Sequence, residues 1–133
     1  MVYAVVDTNV LVSALWTNNP LAATKRVLDL LLSGEIVPLY NAEVVEEYRD
    51  VLNRPKFPFD AQEVDDLIGF IMEIGVDTER TKYDELMPDE DDRAFYEISL
   101  TVEDSFLVTG NLKHYPKVPK VVTPAELIEI LHI

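Results

Sequence analysis

The chain has 133 residues, the size of one ordinary domain with a core of its own, and residues 1–133 are expected to form one. It has no cysteine and only two histidines, His114 and His132, so disulfides and thiolate metal sites are excluded and oxygen is the natural metal ligand. Eleven Lys+Arg against 25 Asp+Glu give a net charge of −14, which opposes tight non-specific binding to phosphate backbones.

The run Val2–Val6 is short, apolar and β-rich, and reads as a buried strand. Asp7, Thr8 and Asn9 end it with residues that favour turns and helix caps. A helix is expected over 10–16, broken at Asn18-Asn19-Pro20, and a second over 21–33, stopped by Gly34. Ile36–Tyr40 is a second strand, weakened by Pro38, which cannot donate to a sheet ladder. Asn41 caps the next helix, which carries Val44, Val45, Tyr48, Val51 and Leu52 on one face. Ala61–Ile74 is amphipathic through Val64, Leu67, Ile68 and Ile71, a face open to core packing or to a homodimer contact. Residues 75–88 are polar and show no period.

Asp89-Glu90-Asp91-Asp92 open a helix running to about residue 102, where four acids in a first turn suit the macrodipole. Residues 105–109 form a third strand, 118–122 a fourth, and Thr123-Pro124-Ala125-Glu126 a capping box for the last helix. Strands alternating with helices predict a three-layer α/β/α sandwich around a mainly parallel sheet. No run of about 18 apolar residues is present, so no membrane span is expected. The opening segment has no secretory pattern, so the expected compartment is the cytoplasm.

Sites in open parallel sheets form at the carboxyl ends of strands. Asp7 follows the first strand and Asn111 the third, so both belong on one edge. Asp7 is open to a second reading as a simple helix N-cap. Glu47 lies at the flank of its helix, nearest the buried face, while Glu43, Glu46 and Asp50 point away. It is either an inward-reaching ligand or a solvated edge residue. In the acidic run, Asp91 aligns with Ala94, Phe95 and Ile98, and Asp92 with Phe95 and Ser99, so either could face a site. Packed carboxylates repel one another, and a divalent cation relieves the repulsion. Oxygen ligands favour magnesium or manganese over zinc. Lys113, His114, Lys117 and Lys120 make a local basic patch, in which His114 reads as a surface residue. Trp16, Tyr40 and Phe106 read as core.

Five segments in order resemble the PIN-domain family. They are Val5-Val6-Asp7-Thr8-Asn9-Val10-Leu11, Glu46-Glu47-Tyr48-Arg49-Asp50-Val51-Leu52, Arg54-Pro55-Lys56-Phe57, Asp89 through Phe95, and Leu107-Val108-Thr109-Gly110-Asn111. The chain most resembles the small single-domain branch that includes toxin components of toxin–antitoxin systems (VapC-like). The resemblance implies a magnesium- or manganese-dependent ribonuclease with an RNA substrate, an antitoxin protein as partner and a possible homodimer. Its acids fall on Asp7, Glu47 and Asp92, with Asp91 as second choice for the third. Thr8, Asn9 and Thr109 would orient waters and carboxylates around the metal. Where many members carry a fourth acid, this chain has Asn111, which can ligate or hydrogen-bond but supplies no charge.

Other readings fit less of the chain. A haloacid-dehalogenase-like phosphatase also starts with an aspartate after an apolar strand, but its second aspartate would be Asn9. A phosphoacceptor receiver domain carries its acidic pair early, whereas Asp91-Asp92 come late. A catalytically weak PIN-like module that binds a protein partner is favoured by Asn111 and by the −14 charge.

Overall fold

The computed structural model describes residues 1–132. Five strands form one sheet in the order β3-β2-β1-β4-β5, every neighbouring pair parallel. They are β1 (Val2–Val6), β2 (Ile36–Tyr40), β3 (Val76–Asp77), β4 (Ser105–Val108) and β5 (Val121–Val122). The helices are α1 (Thr8–Trp16), α2 (Ala23–Leu32), α3 (Ala42–Leu52), α4 (Ala61–Ile74), α5 (Arg93–Thr101) and α6 (Pro124–Ile130). Single 3₁₀ turns cover Glu90–Asp92 and Leu112–His114.

Three consecutive residues of β1 are sealed from solvent, Ala4 and Val5 at 0% and Val6 at 1%. Successive side chains of a strand point to opposite faces, so both faces of the sheet are covered, and the architecture is the expected α/β/α sandwich. Helix α2 packs on β2 and on α1 and α6, α4 packs on β2 and α3, and α5 lies across β1 and β4. Val64, Leu67, Ile68 and Ile71 of α4 are all buried, so this face belongs to the core and not to a dimer contact. Gly34, with φ +85°, ends α2 in the left-handed conformation that glycine tolerates best.

Pro38 sits in an interior strand, opposite Ala4 of β1. Residues of a parallel strand direct their N–H and C=O alternately to the two neighbours. The Glu35 carbonyl accepts from Val2 N–H on the β1 side, and the Tyr40 carbonyl accepts from Thr78 N–H on the β3 side. By parity Pro38 faces β3, which begins only at Val76, opposite Leu39. Its missing N–H therefore falls where there is no ladder to join. The polar segment 75–88 supplies that short strand. It starts at Gly75, where an added Cβ would lie 2.5 Å from the carbonyl oxygens of both Ile71 and Pro38.

Candidate active site

Strand order fixes where a site can form. From β1 the chain moves outward through β2 to β3, then returns to the other side of β1 as β4. The switch point lies between β1 and β4, and ligands bind such sheets outside the carboxyl ends of the strands at that point. Asp7 N–H donates to the Val108 carbonyl at 2.9 Å, so Asp7 and Thr109 leave the two strands side by side.

Asp7 is only 4% exposed. Its Oδ2 accepts from the Thr109 hydroxyl and from the Tyr115 hydroxyl, each at 2.9 Å. Its Oδ1 takes only a long 3.5 Å contact from Asn9 N–H, so capping of α1 is a minor part of what this carboxylate does. Burial, with the charges of Asp7 and Asp92, holds the Tyr115 hydroxyl far above the usual tyrosine range. It therefore stays a donor. Tyr115 is a site residue that sequence reasoning missed, because it lies in an aperiodic loop after β4.

Glu47 reaches the same place from α3. It is half-buried, and its Oε2 accepts a hydrogen bond from the Thr8 hydroxyl at the start of α1. Burial raises its pKa above the usual carboxylate value. The Thr8 hydrogen bond opposes this, and the negative charges of Asp7 and Asp91 add to it. Next to it in sequence, the buried Tyr48 hydroxyl donates to the Val6 carbonyl and ties α3 to the end of β1.

Asp92 comes from the third direction. Asp89 caps the 3₁₀ turn through its side chain, which accepts from Asp91 N–H at 3.0 Å. The regular helix starts only at Arg93. A 3₁₀ turn advances each residue further round the axis than an α-helix does, so the α-helical alignment of Asp91 with Phe95 fails. Asp91 is exposed and Asp92 is buried at 8% exposure. Burial, reinforced by the charges of Asp7 and Asp89, pushes the Asp92 carboxyl up to about 7, against an opposing effect of His114.

Among the described residues, Asp92 Oδ2 alone is a buried side-chain polar atom without a hydrogen-bond partner. Such a group costs free energy unless something occupies it. Glu97, also buried and also on α5, shows the contrast. Burial works to raise its pKa, but hydrogen bonds from Tyr83 N–H and Arg80, with the charges of Arg80 and Arg93, bring it below the usual value. One buried acid has its cations built in and the other has only a histidine nearby.

Asn111 does not project a free amide at the carboxylates. Its backbone N–H donates to Thr109 Oγ1 at 3.0 Å, and its side-chain nitrogen stands 2.8 Å from His114 Nε2. Asn9 Oδ1 accepts from Gly110 N–H at 2.9 Å and bridges α1 to the loop after β4. The expected basic patch is partly spent. Lys120 Nζ donates to the carbonyls of Ser99 and Val102, whereas Lys113 and Lys117 are exposed. His114, expected as a surface residue, is half-buried with Nδ1 at 3.2 Å from Asp92 Oδ2 and 3.9 Å from Asp89 Oδ2. Trp16, expected in the core, is 53% exposed at the end of α1, edge-on to Phe57 and Phe59.

The donor set fits a divalent cation. Asp89, Asp92 and His114 each offer a ligand atom within 4.8 Å of the others, and Asp7 and Glu47 both raise the pKa of Asp92 through their charge. The class is therefore an open parallel α/β protein with an acidic cluster, able to hold a metal ion, at the carboxyl edge of its sheet. The sequence profile of the PIN domain matches residues 3–113, and the chain belongs to the PIN-domain family, whose members are generally metal-using nucleases. No curated protein gives a match to the chain. Among the described residues, no helix is long and apolar enough to cross a membrane.

Proposed function

We propose that this chain is a magnesium- or manganese-dependent ribonuclease that hydrolyses RNA phosphodiester bonds, with Asp7, Glu47 and Asp92 as its metal ligands. The observation that carries the reading is the buried, unpartnered Asp92 Oδ2 in a cluster of acids whose charges oppose one another. Asp91 is exposed whereas Asp92 is buried with an unpartnered oxygen, so Asp92 is preferred to it as third ligand. Asp7 and Glu47 lie outside the close group of Asp89, Asp92 and His114 and are joined to Asp92 by the reach of their charges. A divalent ion bound there would supply Lewis acidity and neutralise charge on the phosphodiester.

The protein's own groups have distinct parts. Thr109 and Tyr115 fix Asp7 Oδ2, while Oδ1 has only a long contact from Asn9 N–H. Thr8 orients Glu47. Glu47 would complete the acidic cluster and position the attacking water, whose proton passes to solvent. The water oxygen forms the new bond to phosphorus as the bond to the leaving sugar oxygen breaks in line, and that oxygen takes its proton from solvent. Asn9 holds the loop after β4 against α1, and Asn111 holds His114.

By resemblance, the chain acts in the cytoplasm as the toxin of a toxin–antitoxin pair. Its acidic surface suits a basic partner segment. A second reading, a weak nuclease that mainly binds a protein, is favoured by Asn111 in place of a fourth acid. Cleavage of a mixed single-stranded RNA pool with manganese, with magnesium and with chelator separates the two. The ribonuclease reading expects metal-dependent cleavage, lost in Asp7→Asn and Glu47→Gln. A folded, metal-binding wild type that leaves the RNA intact would favour the second reading.

A further inference from the structure

His114 lies outside the set of carboxylates, yet its ring is better placed than a surface histidine requires. Nδ1 stands 3.2 Å from Asp92 Oδ2 and 3.9 Å from Asp89 Oδ2. An ordinary histidine–aspartate pair would aim an N–H at the oxygen, but Asp92 Oδ2 has no hydrogen-bond partner, although the atom is shielded from solvent. Two ligands at right angles on one ion, each bonded at about 2.1 Å, lie about 3.0 Å apart. The separation of Nδ1 and Asp92 Oδ2 is close to that. The far side of the ring is anchored by Asn111, at 2.8 Å from Nε2.

We infer that His114 is a nitrogen ligand of the carboxylate site, oriented by Asn111 and joined by Asp89, and that it makes the site prefer manganese over magnesium. The inference rests on the proposal that Asp7, Glu47 and Asp92 hold a divalent cation. Metal-ligating histidines nearly always donate their other ring N–H to an oxygen. A half-turn of the Asn111 amide lets Nε2–H donate to Asn111 Oδ1 and leaves the Nδ1 lone pair free for a cation shared with Asp89 and Asp92. Asn111 thus has a use of its own: it fixes the tautomer of the ligand that stands in for the fourth carboxylate. Selectivity follows from ligand type, because magnesium keeps to oxygen and water while imidazole suits the later divalent ions.

The test is manganese bound to the full chain, read by pulsed electron paramagnetic resonance and by calorimetry. Wild type and His132→Gln are expected to show the nitrogen coupling of a ligated imidazole, and His114→Gln to lose it. Manganese affinity is expected to fall at least about tenfold in His114→Gln, while magnesium affinity changes by less than about threefold. Bound manganese without nitrogen coupling in wild type, or equal weakening of both metals, would overturn the inference and leave the carboxylate site standing. A wild type that binds no manganese would overturn both.

Discussion

Replacing Asp92 by asparagine is expected to stabilise the metal-free protein, and to do so more at high pH than at low. Asp92 titrates at about 7 in the fold against an ordinary 3.8, so its ionised form is disfavoured by folding. The sign follows directly. Well below pH 3.8 the group is neutral in both states and costs nothing. As pH rises toward 7, the unfolded chain ionises while the folded one resists, and stability falls by up to about 1.4 kcal/mol per pH unit. Above pH 7 the cost levels off near a ceiling of ~4 kcal/mol, set by the interval between 3.8 and about 7. Water at the mouth of the cluster screens this, and about half, ~2 kcal/mol, is a reasonable expectation.

Asp92→Asn removes the charge while keeping the shape. In chelator at pH 8.5 it should raise stability by ~2 kcal/mol, or about 6–10 °C in Tm for a chain of this size. At pH 5 the gain should shrink to less than ~1 kcal/mol. Urea and thermal unfolding at the two pH values measure it. With saturating manganese the order should invert, since only the wild type gains the binding free energy in full. Equal destabilisation of Asp92→Asn at both pH values would refute the reasoning. It would mean that the ionised carboxylate is already compensated within the fold.

Three further outcomes are expected. Tyr115→Phe removes one of the two hydroxyls on Asp7 Oδ2; it should cost ~1 kcal/mol in urea unfolding and weaken metal binding about tenfold by calorimetry. Gly75→Ala would force a Cβ to within 2.5 Å of two backbone oxygens, and should destabilise by about 2–3 kcal/mol with metal affinity unchanged per folded molecule. Glu97→Gln breaks the ion pairs with Arg80 and Arg93. Because the Glu97 pKa is lowered from 4.5, the stability that this charge provides is present above that value and is lost as pH falls through the lowered one. The destabilisation in Glu97→Gln should therefore be full at pH 7 and fade toward pH 3.

The parts of the site carried on regular elements are legible in the chain. Asp7 is placed by the apolar strand before it, and Glu47 by its position on the flank of an amphipathic helix. Asp92 is singled out only by the resemblance, because counting at α-helical pitch through a 3₁₀ turn puts Asp91 and Asp92 on equal terms. His114 and Tyr115 lie in and just after a 3₁₀ turn in the loop following β4, where no periodicity tells which side chain turns inward. Only the pairing of β1 with β4 brings that loop over Asp7. The same holds for β3: two exposed residues give no alternation, and their position follows from Gly75 and Pro38 meeting in space. A core position for Trp16 fails because its neighbours Ala14 and Leu15 pack inward, whereas the helix ends at the surface.

The most direct test of the account is where a cation sits. Anomalous diffraction from crystals soaked in manganese is expected to give a peak within roughly 2.0–2.6 Å of oxygens from both Asp7 and Asp92, with Glu47 facing it. A bound manganese ion elsewhere on the acidic surface, with Asp92 Oδ2 still unpartnered, would contradict the account.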